Sequence, residues 1–118
     1  MPLRAVSFAA LLIVLAAPAP YAGPRADAKA QVAFGIEAAQ HGLWREATYR
    51  FERAIAIDPA YAPAYNNLGV ACEQQGLIEK AREAYEKALA LDPKSELIRQ
   101  NYELFRETHA RTTGSSPR

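Results

Sequence analysis

The apolar residues in the middle of the chain recur at helical spacing. Ala47, Phe51, Ala54 and Ile55 fall at i, i+4, i+7 and i+8, and Ala81, Tyr85, Ala88 and Leu89 repeat that spacing. Each set draws one apolar stripe along a helix, which predicts helices over about 44–57 and 78–91. Glu46, Arg50 and Arg53 lie largely on the far side of the first, and Glu79, Glu83 and Lys87 on the far side of the second. Proline closes both. Pro59 and Pro93 disfavour the helical region at Asp58 and Asp92.

The segments ahead of these two helices are rich in alanine, a strong helix former that also permits close helix approach. They predict helices over about 25–41 and 63–75. Gly42 and Gly76 end them as left-handed residues, and Pro63 sits in a first turn, where a missing N–H costs nothing. A fifth helix begins after Ser95, a good N-cap, and runs to about Thr108. Its residues Leu97, Ile98, Tyr102, Leu104 and Phe105 lie within ~160° of the helical wheel, so they are expected to form its buried face. Arg111 to Arg118 contains no apolar residue, and 110–118 is expected to be a disordered tail.

Residues 28–61 and 62–95 align without a gap at an offset of 34. Gly35 answers Gly69, Gly42-Leu43 answers Gly76-Leu77, Ala47 answers Ala81, Ala54 answers Ala88, and Asp58-Pro59 answers Asp92-Pro93. The second unit reads Tyr65-x2-Leu68-Gly69-x2-Cys72, then Ala81-x3-Tyr85-x2-Ala88, then Pro93. The first reads Gln31-x2-Phe34-Gly35-x2-Ala38, then Ala47-x3-Phe51-x2-Ala54, then Pro59. This resembles the tetratricopeptide repeat (TPR), whose pattern places glycine, alanine, aromatic, alanine and proline at these intervals. The resemblance implies an all-α fold: a right-handed α-solenoid of two helix-turn-helix units, 28–61 and 62–95, with a C-terminal solvating helix over 96–109. Gln31 and Ala38 stand where aromatics are usual, which makes the first unit thinner, as suits an N-terminal cap. Glycine inside a helix costs ~1 kcal/mol against alanine, so Gly35 and Gly69 imply backbones too close for a side chain. Ala47 and Ala81 are the expected neighbours, with Phe51 and Tyr85 projecting between units.

The first 22 residues follow a different logic. Met1 and Arg4 give a weakly positive start, Val6 to Ala17 is apolar except for Ser7, and Pro18 to Ala22 closes with small and helix-breaking residues. A dozen apolar residues are too few for the ~20 that a helix needs to cross a bilayer. Residues 1–22 therefore fit a signal peptide cleaved around 19–26, with 23–27 as a linker, and an exported chain, periplasmic or secreted, in a bacterium. Membrane contact is expected only if that segment stays uncleaved. No cysteine follows the apolar run, which excludes a lipid anchor there.

Among 118 residues, 14 are Lys or Arg and 13 Asp or Glu; without Arg4, the only charged residue of the first 22, the two signs balance. A neutral domain lacks the basic footprint of a nucleic-acid binder. Cys72 is the only cysteine, so no internal disulfide forms, and its inward position marks it as a small buried hydrophobe. His41 and His109 have no ligand-spaced companions for metal. Nucleophile–base groupings and phosphate loops are absent as motifs, so no enzyme activity, cofactor or small-molecule substrate is expected.

In TPR proteins the first helix of each unit lines a concave groove. The resemblance thus implies a non-catalytic adaptor or scaffold that binds a peptide or helix of a protein partner. The expected lining is Lys29, Val32, Ile36, Ala39 and Gln40 from the first unit and Asn66, Asn67, Val70, Glu73 and Gln74 from the second. The cap would add Gln100, Asn101 and Leu104. Amides on this face suit an extended backbone. Some relatives clamp an acidic chain terminus with basic residues and asparagine; Val32 and Ile36 occupy two such positions and only Asn67 matches, which argues against that ligand. The alternative is a structural subunit or self-associating component of a cell-envelope assembly.

Overall fold

The computed structural model describes residues 23–113. They form five helices: α1 Gly23–Gln40, α2 Trp44–Ile57, α3 Ala62–Gln74, α4 Ile78–Leu91 and α5 Glu96–Thr113. No strand occurs among the described residues. The expected signal peptide over 1–22 lies outside them.

The turn that closes each hairpin is the same twice. After α1, the Leu43 N–H bonds to Ala38 O and the Gly42 N–H to Ala39 O, both at 2.9 Å. After α3, Leu77 bonds to Cys72 O at 2.9 Å and Gly76 to Glu73 O at 3.0 Å. This six-to-one plus five-to-two pairing needs a left-handed residue at its corner. Gly42 and Gly76 supply it, at φ 71° and 75°. Leu43 and Leu77 then accept the first hydrogen bonds of α2 and α4, from Ala47 and Ala81 at 2.9 Å. Asp58 and Asp92, each before proline, end α2 and α4 at φ −138° and −139°.

Inside each hairpin the close contact differs from the expected one. A Cβ built on Gly69 would lie 2.8 Å from the Tyr85 ring, and one on Gly35 would lie 2.8 Å from Phe51 Cδ1. The glycines therefore carry the aromatic rings of the opposing helix. Ala47 and Ala81, though fully buried, are not what the missing side chains make room for. A ring is the wide object at this interface, so it needs the bare backbone. Tyr85 does also reach the next element, with its ring centre 5.3 Å from Phe105 and 6.3 Å from Tyr102.

Between the units, Gln75 acts as a clasp: its Nε2 donates to Thr48 Oγ1 on α2 and to Ala71 O on α3, both at 2.8 Å. Trp44 packs half-buried against the core cluster. Cys72 is fully buried, and burial pushes its thiol up from the ordinary value. The cysteine is thus packing material.

Both outer boundaries move. Residues 23–27, expected as a linker, are the first turns of α1. Arg25 holds them down by pairing with Asp58 and lying 4.9 Å over the Tyr61 ring. The same guanidinium hydrogen bond holds the Asp58 carboxyl below its usual range, helped by the Ala60 N–H and opposed by partial burial. At the other end α5 runs on to Thr113, so residues 110–113 of the expected disordered tail are helical; 114–118 lie outside the described residues. His109 bends this helix, with φ −110° and ψ 15°.

The buried face of α5 is narrower than its apolar stripe. Ile98 and Phe105 are buried at 3% and 1% exposure and Tyr102 is half-buried, but Leu97 and Leu104 are each 63% exposed. α5 rests on α3 and α4 alone, which is too little surface to cover so broad a stripe. At the opposite end Phe34 and Tyr49 stay about half exposed, with no helix ahead of α1 among the described residues to cover them. Arg50 lies 5.6 Å over each ring instead.

If the glycine seat holds the hairpin, Gly69→Ala should destabilise the protein by about 1–3 kcal/mol through overpacking, although alanine is the better helix former. A urea denaturation midpoint equal to or above that of the parent would show that the ring can move aside.

Candidate partner-binding groove

α1, α3 and α5 touch one another in sequence, whereas the second helices of the hairpins, α2 and α4, do not meet. The array therefore closes towards the side of α1, α3 and α5. That side is the concave face expected to bind a partner, and its residues divide by what holds them.

Some expected lining residues are not available to a partner. Val32 is buried at 6% exposure within the core cluster, on the side of α1 that packs against its neighbours. Asn66 is buried at 5%, and its Oδ1 accepts a hydrogen bond from Asn101 Nδ2 at 3.1 Å. This amide pair joins α3 to α5. Glu73 is half-buried and engaged twice: the Tyr85 hydroxyl donates to its Oε1 at 3.1 Å, and His109 Nε2 lies 3.0 Å from its Oε2. Burial, with the Glu73 charge beside it, drives the Tyr85 phenol far above the ordinary range, so it stays a donor. Val32, Asn66 and Glu73 are thus corrected from contact residues to structural ones.

The others remain on the surface of the groove. Lys29, Gln40, Gln74 and Gln100 are exposed, Ile36 is 39% exposed, and Asn67, Val70 and Ala39 are half-buried. Asn67 Nδ2 donates to Pro63 O one turn back, at 2.8 Å. Gln100 is turned along α5 to Glu96, at 2.9 Å. Ile36, Val70 and Leu104 hold equivalent places in the repeat, so one aliphatic side chain stands on each of the three helices. Gln40 and Gln74 are likewise equivalent and identical. The surface is an aliphatic row between uncharged amides, suited to holding a chain by apolar contact and backbone hydrogen bonds.

Two features escaped the sequence reading. The Glu73–Tyr85–His109 chain joins positions 12 and 36 residues apart, and no local pattern announces it. The exposure of Leu97 was hidden because its spacing suits either side of the stripe. Among the described residues no group of His, Cys, Asp and Glu is arranged to hold a metal ion.

A TPR profile matches residues 62–95, the whole second unit. A second TPR profile matches 39–76, which spans the whole of α2 and α3. The chain belongs to the tetratricopeptide repeat family. Its fold is shared with solved structures, of which 26 chains match. The TPR domain of Sgt2 from Aspergillus fumigatus superposes with a TM-score of 0.66 at 22% identity, over 77% of this chain. This chain spans 63% of that domain's length. No curated protein sequence matches it. As a TPR protein it is a protein–protein interaction module, of a family that is generally non-catalytic.

The two neighbouring asparagines should behave oppositely. Asn66→Ala strands Asn101 and should lower stability by about 1 kcal/mol, read as a shifted melting temperature. Asn67→Ala, whose only described bond is local, should leave melting within about 0.5 kcal/mol of the parent. Equal effects at both sites would contradict the division between structural and surface amides.

Proposed function

We propose that this chain is an exported, non-catalytic TPR adaptor that holds a peptide or helix of a protein partner across α1, α3 and α5. The observation that carries this reading is the row Ile36, Val70 and Leu104, one aliphatic residue per helix, flanked by Gln40, Asn67, Gln74 and Gln100. No cationic pair stands in the row; Lys29 is the single basic residue of the expected lining. The ligand is therefore an apolar or uncharged segment of a protein, rather than an acidic chain end. Nucleic acid and small-molecule substrates have no matching surface in this reading.

Export rests on the composition of residues 1–22, apolar, short and closed by small residues. The intact mass of the chain recovered from an expressing bacterium checks it. A new N-terminus between Ala19 and Ala26 is the expected result, and a full-length mass removes it. The second reading, a subunit of a cell-envelope assembly, draws support from the half-exposed Phe34 and Tyr49 at the open end of the first unit.

The groove is tested with peptides selected on the protein from a random display library. Ile36→Glu, at a position largely clear of the core, should weaken those peptides at least tenfold, about 1.4 kcal/mol. Glu79→Gln on the far side should leave them unchanged. Peptides that bind the Ile36→Glu protein as well as the parent would move the interface off this face.

A further inference from the structure

Ala30 and Phe34 hold the repeat places of Ala64 and Leu68 on α3 and of Ile98 and Tyr102 on α5, at the offset of 34. On those later helices the places are sealed. Ala64 is fully buried, Leu68 and Ile98 are 7% and 3% exposed, and Tyr102 is half-buried. The helix just ahead in the chain supplies cover: α2 packs on α3 and α4 on α5, where Tyr85 lies 6.3 Å from Tyr102. On α1 the same places are open. Ala30 is exposed and Phe34 is 53% exposed, with Tyr49 of α2 at 50%. The two rings flank one guanidinium, that of Arg50, 5.6 Å from each ring centre.

The chain ahead of α1 has the composition of a covering helix. Residues 6–17 carry no charge and are apolar except for Ser7, and seven of these twelve are alanine or leucine, strong helix formers. Pro18 and Pro20 follow them as Pro59 follows α2 and Pro93 follows α4. Five residues, 18–22, separate the run from α1, against four, 58–61 and 92–95, at the two later junctions. The lengths agree as well. Twelve helical residues extend about 18 Å, and Phe34 lies about 16.5 Å along α1 from Gly23. Folded back along α1, a run of that length reaches both rings.

We propose that residues 6–17, for as long as they remain attached, lie as a helix across Ala30, Phe34 and Tyr49, in the place that α2 takes on α3. Apolar surface leaves water on both sides of that contact, and the first unit gains the neighbour that a repeat needs for its outer side. The attached run closes this side to other chains, and cleavage around 19–26 opens it. The inference goes beyond the groove reading and does not rest on it. The contact belongs to the uncleaved chain, and removal of the segment by a bacterium is a separate measurement.

The test is photo-crosslinking in the full chain, made by cell-free synthesis without membranes so that the segment is kept. Benzoylphenylalanine in place of Phe8 keeps an aromatic ring at the end of the run that falls level with Phe34. Illumination of the dilute protein should join position 8 to α1 or α2 of the same chain, around Phe34 and Tyr49, as read by peptide mass spectrometry. Phe34→Gln with Tyr49→Gln, both at exposed positions, should lower that yield severalfold while helical circular dichroism stays as in the parent. Charge placed in the run, Leu11→Glu with Leu12→Glu, should lower it likewise. Crosslinks found only between chains, only on α3, α4 or α5, or not at all overturn the proposal. So does a yield that the changes at Phe34 and Tyr49 leave unaltered. Crosslinks around Phe34 and Tyr49 in a chain that a bacterium never trims would uphold this contact and remove the export reading alone.

Discussion

The structure depends on an aromatic ring lying on a bare stretch of helix backbone. In each hairpin one helix offers a glycine and the other a ring, Phe51 over Gly35 and Tyr85 over Gly69. That contact fixes how near the two helices lie and how they are rotated. The apolar positions beside it, Ala38 and Ala47 in the first unit and Cys72 and Ala81 in the second, are all buried. Small residues suffice for much of this core because the ring fills the space. Repeating the seat once in each unit gives two hairpins of one shape, and like shapes stack.

Stacking in turn makes the groove. The first helices of the units meet, the second helices do not, and the array bends towards the former. The bend is stabilised by polar ties as well as by packing: Gln75 spans α2 and α3, and the buried Asn66–Asn101 pair spans α3 and α5. A buried amide that lost its partner would carry the desolvation cost of an unmade hydrogen bond. These ties therefore favour one relative placement of the helices, which a smooth apolar contact would leave looser. The groove is a product of that placement, and the Tyr85–Glu73–His109 chain fastens its far wall.

The two ends of the array bear the consequence of having few units. A repeat buries its outer face only on a neighbour. At the first unit Phe34 and Tyr49 meet the Arg50 guanidinium. At the last, Arg82 and Arg106 lie 5.6 Å and 5.7 Å over Phe105 and Tyr102. Arginine serves here because its stem and planar head cover a ring while its charge stays wet. Among the described residues Leu97 and Leu104 have no such cover, each being 63% exposed.

Residues close together in sequence determined most of the architecture. The spacing of Ala47, Phe51 and Ala54, the left-handed Gly42 and Gly76, and the Asp–Pro pairs act within one or two turns, so helices α2 and α4 and the hairpin turns were legible directly. The internal repeat extended that to the family and the stacked fold. What sequence left open depended on distance between units. Val32, Asn66 and Glu73 carry the side-chain types of a groove, yet contacts from α3, α4 and α5 take them inward. Leu97 and Leu104 share an apolar stripe with Ile98 and Phe105, yet two supporting helices cannot cover all four. Helical periodicity specifies which residues share a side; only the area and angle of the neighbouring helices decide how much of that side is sealed from water.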